Sequence, residues 1–274
     1  MLDHFGTTDA SRVRRNNEDA LLAGGGEDSN LFAVADGMGG HKAGEVASFL
    51  AVAALKGLKP GRSLAGAIRK VDRTILACRD DGEFADMGST VVAGRFREDG
   101  TGRLAGEVAH VGDSRAYLLR AGDLRRLTAD HSLVAVLVRS EAISPDRAAA
   151  HPLNNALTRS LGTGTAAVER TTFEAWPGDR VVLCSDGLPD AVSEEEMSAA
   201  LVRHPGDPES AAQALVAAPL EVGGPDNVTV VVVDLKGRTA DAPPSDPGTA
   251  GRAGGARGPR ARSRELLGAL LPRR

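Results

Sequence analysis

Aromatic residues are scarce: six Phe, one Trp and one Tyr among 274 residues. Stacking platforms for single-stranded nucleic acid are therefore poorly supplied. Cysteine is scarcer still. Cys78 and Cys184 stand far apart with no CxxC pairing, which argues against a secreted disulfide scaffold and against a thiolate zinc site. No run of about 18 apolar residues occurs, and the leading MLDHFGTTDASRVRRNNED lacks the apolar core of a signal peptide. A soluble, cytoplasmic, monomeric protein is expected. What is present is an ordinary globular balance, 42% hydrophobic and 26% charged with a formal net charge of -4. At this length one domain buries roughly three quarters of its unfolded surface, so folding needs no covalent or metal staple.

The composition changes at Gly237. From there to Arg274 the chain holds seven Gly, five Pro and eight Arg against three acids, with no Val, Ile or aromatic residue. Such a segment buries too little apolar surface to offset its ordering entropy, and residues 237–274 are expected to be a disordered basic tail. The tail carries +5, so residues 1–236 carry -9. Near its end, Leu266, Leu267, Leu270 and Leu271 lie among Arg262, Arg264 and Arg273. Four leucines make a feeble membrane anchor, and a solvated tail end is the better reading.

In the body, runs with strand character recur at Leu31–Ala35, Thr90–Gly94, Glu107–Val111, Ala116–Leu119, Arg180–Cys184 and Val228–Leu235. Several are continuously apolar, as in VTVVVV, which implies strands covered on both faces. Helices fit between them. Ser63 can cap a segment with Leu64, Ile68, Val71, Ile75 and Cys78 on one face and Arg69, Lys70, Asp72 and Arg73 turned away. Ser193 and Glu196 form a capping box before Met197, Ala200 and Leu201. Asp207-Pro208 starts a helix through Ala217, and Gly44–Lys56 reads as an Ala-rich helix. The expectation is one mixed α/β domain.

The chemistry lies at the ends of the apolar runs. LFAVA leads to Asp36-Gly37-Met38-Gly39-Gly40, VAHVG to Asp113-Ser114-Arg115, and VVLCS to Asp186-Gly187; Gly223-Gly224-Pro225-Asp226-Asn227 precedes the last strand. One aspartate at a strand end is usually a turn residue bonding its own backbone. Four such positions beside glycines, with Glu18-Asp19 as a further acidic pair, suit a hard divalent cation that wants several oxygen ligands. With no Cys or His cluster in competition, the ions expected are Mg²⁺ or Mn²⁺. Paired ions of this kind suit phosphate hydrolysis: they lower the pKa of a bound water toward about 7, orient it for in-line attack and neutralise the phosphoryl oxygens. Arg14, four residues before Glu18, is the candidate for gripping the phosphate.

Taken together these blocks resemble the bacterial metal-dependent serine/threonine protein phosphatases of type 2C, the PPM family. The matching pieces run in order: Arg14 with Asn17-Glu18-Asp19-Ala20, then ADGMGGHKAGE, Gly88-Ser89-Thr90, HVGDSRAYLLRAGDLRRLTADHSLV, ALTRSLG, CSDGL and GGPDNVTVVVV. They cover about residues 3–236. The resemblance implies an α+β, four-layer αββα sandwich with two central antiparallel sheets. It implies that Asp36 bridges two ions, that the Gly37 carbonyl joins one, that Asp186 and Asp226 complete the other, and that Glu18 and Asp19 ligate or hold metal-bound waters. Asp113 matches a ligand of a third, weaker metal; the same residue can instead anchor the hairpin Ser114–Leu119. Met38 stands where eukaryotic relatives carry a histidine, and His41 is a possible general acid or simply a helix-start residue.

The stretch 135–160, with Ser144-Pro145 opening a short helix and containing His151 and Arg159, matches a flap beside the active site. Pro189 follows SDGL where the family commonly has Thr. Cys184 reads as a buried, inert thiol. The activity implied is hydrolysis of phosphoserine and phosphothreonine in proteins, opposing Ser/Thr kinases. A non-catalytic binding protein, a small-molecule phosphatase on the same centre and nucleic-acid binding through the basic tail are the alternatives. The acidic body and the lack of aromatics argue against the last.

Overall fold

The computed structural model describes residues 2–79, 82–98 and 103–236, so the tail expected over 237–274 lies outside the described residues. In chain order the elements are β1 (Leu2–Asp9), β2 (Asp19–Ala23), β3 (Leu31–Met38), α1 (His41–Lys56), α2 (Leu64–Cys78), β4 (Gly88–Ser89), β5 (Val91–Glu98) and β6 (Leu104–Val111). They continue with β7 (Arg115–Arg120), β8 (Asp123–Arg126), α3 (Leu133–Arg139), α4 (Pro145–Ala149), β9 (Glu169–Glu174), β10 (Arg180–Cys184), α5 (Glu194–Val202), α6 (Pro208–Glu221) and β11 (Val228–Leu235).

The strands form two sheets, one in the order β1-β11-β10-β7-β8 and the other β2-β3-β5-β6-β9 with β4 paired to β3. Every ladder among the described residues is antiparallel. The period-2 geometry of a strand explains why the continuous apolar runs are needed. Along β3, Phe32 and Val34, together with Val92 and Phe96 of the neighbouring β5, face the other sheet, where they meet Val181, Leu183, Val231 and Val233. Leu31, Ala33 and Ala35 point the opposite way, onto Ala43, Ala47, Leu55, Leu64 and Ile68 of α1 and α2. In β11, Val228, Val230 and Val232 pack on Met197, Leu201, Ala211 and Leu215 of α5 and α6. The layers are therefore helix, sheet, sheet, helix, as the resemblance implied.

Local chemistry sets the helix ends. Ser63 caps α2 by accepting from Gly66 N (3.1 Å), and the Ser193–Glu196 capping box is present at α5. α6 runs beyond Ala217 to Glu221, with Pro219 held in its last turn, and α1 opens three residues before Gly44.

Two side-chain expectations for α2 fail. Cys78 is exposed rather than on the core stripe, because it falls on the last turn, where the helix has run past the sheet. Asp72 is buried, not turned outward. Its Oδ1 accepts from the backbone N–H groups of Gly162, Thr163 and Gly164 (2.8, 3.0 and 3.0 Å), and its Oδ2 from Ala166 (2.9 Å). One helical carboxylate thus replaces water for a whole loop of amides, which a period of 3.6 cannot reveal. Removing it leaves four donors without a partner, each costly when buried. Asp72→Ala is expected to lose on the order of 3 kcal/mol of stability. That lowers Tm by roughly 6–12 °C; a thermal melt unchanged within about 1 °C would show that water replaces the carboxylate.

Candidate metal centre

Antiparallel order brings five strand ends to one edge of the sandwich. β3 ends at Asp36-Gly37-Met38, β2 begins at Asp19, β6 leads into Asp113, β10 into Asp186, and Asp226 stands two residues before β11. Asp19 and Asp36 are direct partners across the β2–β3 ladder. A cavity of 280 Å³ opens there, lined by Arg14, Glu18, Asp36, Gly37, Asp113, Asp186 and Asp226, among others. Seven of the residues singled out in the sequence therefore converge.

Asp19 does not line this cavity. As the cross-strand neighbour of Asp36, it has its Oδ2 accepting from Ser185 Oγ (2.7 Å) and its Oδ1 buried without a hydrogen-bond partner. His41 opens α1 next to Gly40 on the cavity rim, but its side chain lies outside the described residues.

The backbone holds these groups closely. Asp36 N donates to Thr90 Oγ1 (3.1 Å), and Asp36 O accepts from Thr90 N (2.8 Å) and Ser89 Oγ (2.8 Å). Thr90 in turn shares a hydrogen bond with Ser114 beside Asp113 (2.7 Å). Glu18 O accepts from Gly37 N (3.1 Å) and Ser48 Oγ (2.5 Å). The Asp-Gly glycines serve close approach: a Cβ on Gly37 would stand 2.0 Å from Gly44 O, and one on Gly187 2.1 Å from Asn227 O. Asn227 Nδ2 donates to Ala10 O and Asn16 O while its Oδ1 accepts from Glu18 N, stitching the segment that carries Arg14 to the centre. Arg14 NH2 reaches Asp226 Oδ2 (2.7 Å) at the mouth. Thr90, Ser185 and Asn227 belong to blocks quoted from the sequence, yet nothing in a linear reading assigns them these bonds.

The carboxylates raise one another's pKa values. Burial is the first cause for Asp36, followed by the charges of Asp186, Asp19 and Asp113, and its pKa is held well above the usual range. Asp186 is raised likewise by burial and then by Asp113, Asp190, Asp226 and Asp19. Burial together with its acidic neighbours pushes Asp19 to about 6, and burial with Asp130 pushes Asp113 to about 6. An all-oxygen donor set, one orphaned buried carboxylate oxygen and four mutually repelling acids fit a hard divalent cation. Cys184, fully buried, has its thiol pushed up to about 12 by burial, which makes it inert.

A second donor-type cluster behaves differently. His110, His131 and Glu169 offer donor atoms within 4.8 Å of one another. Gly112 N–H donates to His131 Nδ1 (3.1 Å), so the proton of the neutral ring sits on Nε2, facing Glu169 (3.2 Å). The Arg159 guanidinium lies 3.0 Å from the same nitrogen. His131, whose pKa burial and His110 lower to about 4, therefore offers a cation no lone pair. It acts as a tie. Its carbonyl accepts from Thr158 N (2.7 Å), and Leu133 N donates to Ala156 O (2.7 Å), closing the base of the flap beside the Asp113 turn. His151 Nδ1 accepts from Leu153 N (3.1 Å), a local loop bond away from the centre.

A family model described as Protein phosphatase 2C matches residues 8–218. The serine/threonine protein phosphatase PstP of Mycobacterium tuberculosis is 42% identical over 243 residues, covering 86% of this chain; the chain spans 45% of that protein's length. The serine/threonine phosphatase stp of Listeria welshimeri is 37% identical over 251 residues, 85% of this chain and 97% of that protein. A crystal structure of the catalytic domain of PstP in complex with two manganese ions matches with a TM-score of 0.76 and 39% identity, covering 86% of this chain and 99% of that one.

The raised carboxyls predict an unusual pH dependence. Asp113 binds its proton more tightly folded than unfolded, so raising the pH from about 4 to about 6 removes stability, and above about 6 the loss is complete. In EDTA at pH 7, Asp113→Asn is expected to be more stable than the parent by on the order of 2 kcal/mol, with the gap closing near pH 4. Urea denaturation at both pH values tests this; a variant no more stable than the parent at pH 7 would overturn it.

Proposed function

The chain belongs to the protein phosphatase 2C family, and on that premise we propose that residues 1–236 are a bacterial protein serine/threonine phosphatase dependent on Mn²⁺ or Mg²⁺. The observation that supports it above all is the meeting of Glu18, Asp36, Gly37, Asp186, Asp226 and Arg14 on one small cavity. Asp36, the Gly37 carbonyl, Asp186 and Asp226 are the groups to hold two catalytic ions. Glu18 faces the same space, and Glu18 and Asp19 are the residues to ligate directly or to hold metal-bound waters. Asp113, at the far side of the cavity, is the residue for a third, weaker ion.

When bound, the ions supply an activated water and neutralise the phosphoryl oxygens. The remaining work falls to the chain. Arg14 is half-exposed and pinned at the mouth by Asp226. A guanidinium has five N–H donors, so the pairing leaves most of them for phosphate oxygens. The Asp113 and Asp36 turns are locked through Thr90 and Ser114, which fixes the approach of the substrate to the carboxylates. Expelling a serine or threonine alkoxide needs a proton, and His41 at the rim is the proposed donor.

No helix of the described residues is long and apolar enough to cross a membrane. We place the activity in the cytoplasm, on phosphoproteins made by Ser/Thr kinases, with the monomer as the working unit and no nucleic acid involved. Residues 237–274 are proposed to take no part in the chemistry.

Release of phosphate from a phosphothreonine peptide should require Mn²⁺ or Mg²⁺ and stop in EDTA. Asp36→Ala should lower kcat by on the order of 10³-fold or more while leaving the circular dichroism spectrum unchanged. Arg14→Ala should lower kcat/KM by about 10- to 100-fold, chiefly through KM. A folded protein silent with every metal would favour the binding-module reading, and preference for sugar phosphates or nucleotides would defeat the protein-phosphatase assignment.

A further inference from the structure

A second cavity of 620 Å³ adjoins the metal centre and shares Asp113, Asn155 and Asp186 with it. It runs between the sandwich and the flap helices α3 and α4, and Pro189 lies on its wall. Its charge is distributed unevenly. Arg115 holds Asp130 bidentately (Nε–Oδ1 3.1 Å, NH2–Oδ2 2.9 Å). Arg126 NH2 bonds the same Oδ1, and Arg139 NH1 lies 3.4 Å from the Asp130 carbonyl. Two guanidiniums thus converge on the Asp130 carboxylate, and a third reaches the main-chain carbonyl of the same residue. Asp190 is the other acid on this wall away from the metal ligands, so the arginines outnumber the acids there. Arg115 and Arg126 are mostly covered, which fixes their geometry, while Arg139 on α3 is exposed and can turn toward a ligand. Val134, Val138 and Pro145 give the same space an apolar lining suited to peptide side chains.

Resting on the phosphatase reading above, we propose that this groove is a subsite for a second anionic group on the substrate. That group is an acidic side chain or a second phosphate within a few residues of the phosphoserine or phosphothreonine in the metal centre. The groove opens onto Asp113 and Asp186, so a chain whose phosphate meets the carboxylate cluster leads its neighbouring residues past Arg115, Arg126 and Arg139. Such pairing is charge-assisted and near the surface, hence sensitive to salt.

The test uses one phosphothreonine peptide with neutral flanks. In related peptides each of the three positions on either side is replaced in turn by Glu, phosphothreonine or Lys. At low salt, an anionic flank on at least one side should raise kcat/KM about tenfold over the neutral peptide, and Lys should lower it. The gain should shrink in 0.5 M salt. Arg139→Ala, at an exposed site, and Arg126→Gln should abolish the gain while leaving the neutral peptide's turnover unchanged. A gain for phosphothreonine alone would narrow the subsite to a dianion, and a gain for both would extend it to carboxylates. Equal turnover of all peptides, or a preference that survives both substitutions, overturns the subsite and leaves the phosphatase standing. No turnover of even the neutral peptide would sink the phosphatase reading, and the subsite with it.

Discussion

Mutual repulsion among carboxylates governs this molecule. Burial and the charges of their neighbours, each other's and those of Asp19, Asp113 and Asp226 among them, hold the proton affinities of Asp36 and Asp186 well above the usual carboxylate range. Two carboxyls in contact cannot both ionise without a compensating cation. Such a cluster is an unfavourable thing to build, and it persists only where the surrounding structure leaves it no route to relax. The molecule therefore has to be rigid at this edge, and the rest of the fold supplies that rigidity.

Three apolar layers provide most of it. The interface between the sheets and the two sheet–helix interfaces bury alternate residues of β3, β10 and β11, so none of these central strands shifts without disturbing two cores at once. The opposite end of the five-stranded sheet is pinned by polar groups. Arg180 pairs bidentately with Asp234 (2.5 and 2.8 Å) and also donates to Leu201 O (2.8 Å), and Arg120 clasps Asp179. At the metal edge, close packing of Gly37 against Gly44 and of Gly187 against Asn227 leaves no room for a side chain. Rigidity at both ends lets the carboxylates keep positions that their own charges oppose.

Much of this was legible in the chain. Apolar runs without alternation announced doubly covered strands, and Asp-Gly pairs at their ends marked the carboxylates that meet in the cavity. The antiparallel pairing came from the family resemblance. Other features stayed hidden for physical reasons. β1, LDHFGTTD, and β9, ERTTFE, carry too few large apolar residues to stand out, because one lies at the edge of its sheet beside β11 and the other beside β6. Asp72 looked like an exposed helical charge, since a stripe pattern cannot say that a distant loop will bring four amides to it. Cys78 fitted the stripe, but the stripe outlasts the surface it packs on. His131 and Asn227 make their decisive bonds to backbone groups, and main-chain partners leave no signature in sequence.

The flap shows how these constraints divide the labour. Its first end is tied at His131, which also receives Gly112 N–H beside Asp113. Its far end is tied by the Ser89–Leu161 bridge and by the four amides on Asp72. Both anchors thus belong to the same layers that hold the metal-site carboxylates. Between them, α3 has no fully buried side chain. A segment with few buried apolar contacts opens at lower free energy than the core it joins. Stability is therefore concentrated where charge must be held in place and is withheld from the flap helix α3. The wall of the groove beside the carboxylates can then shift without moving the groups held at that edge.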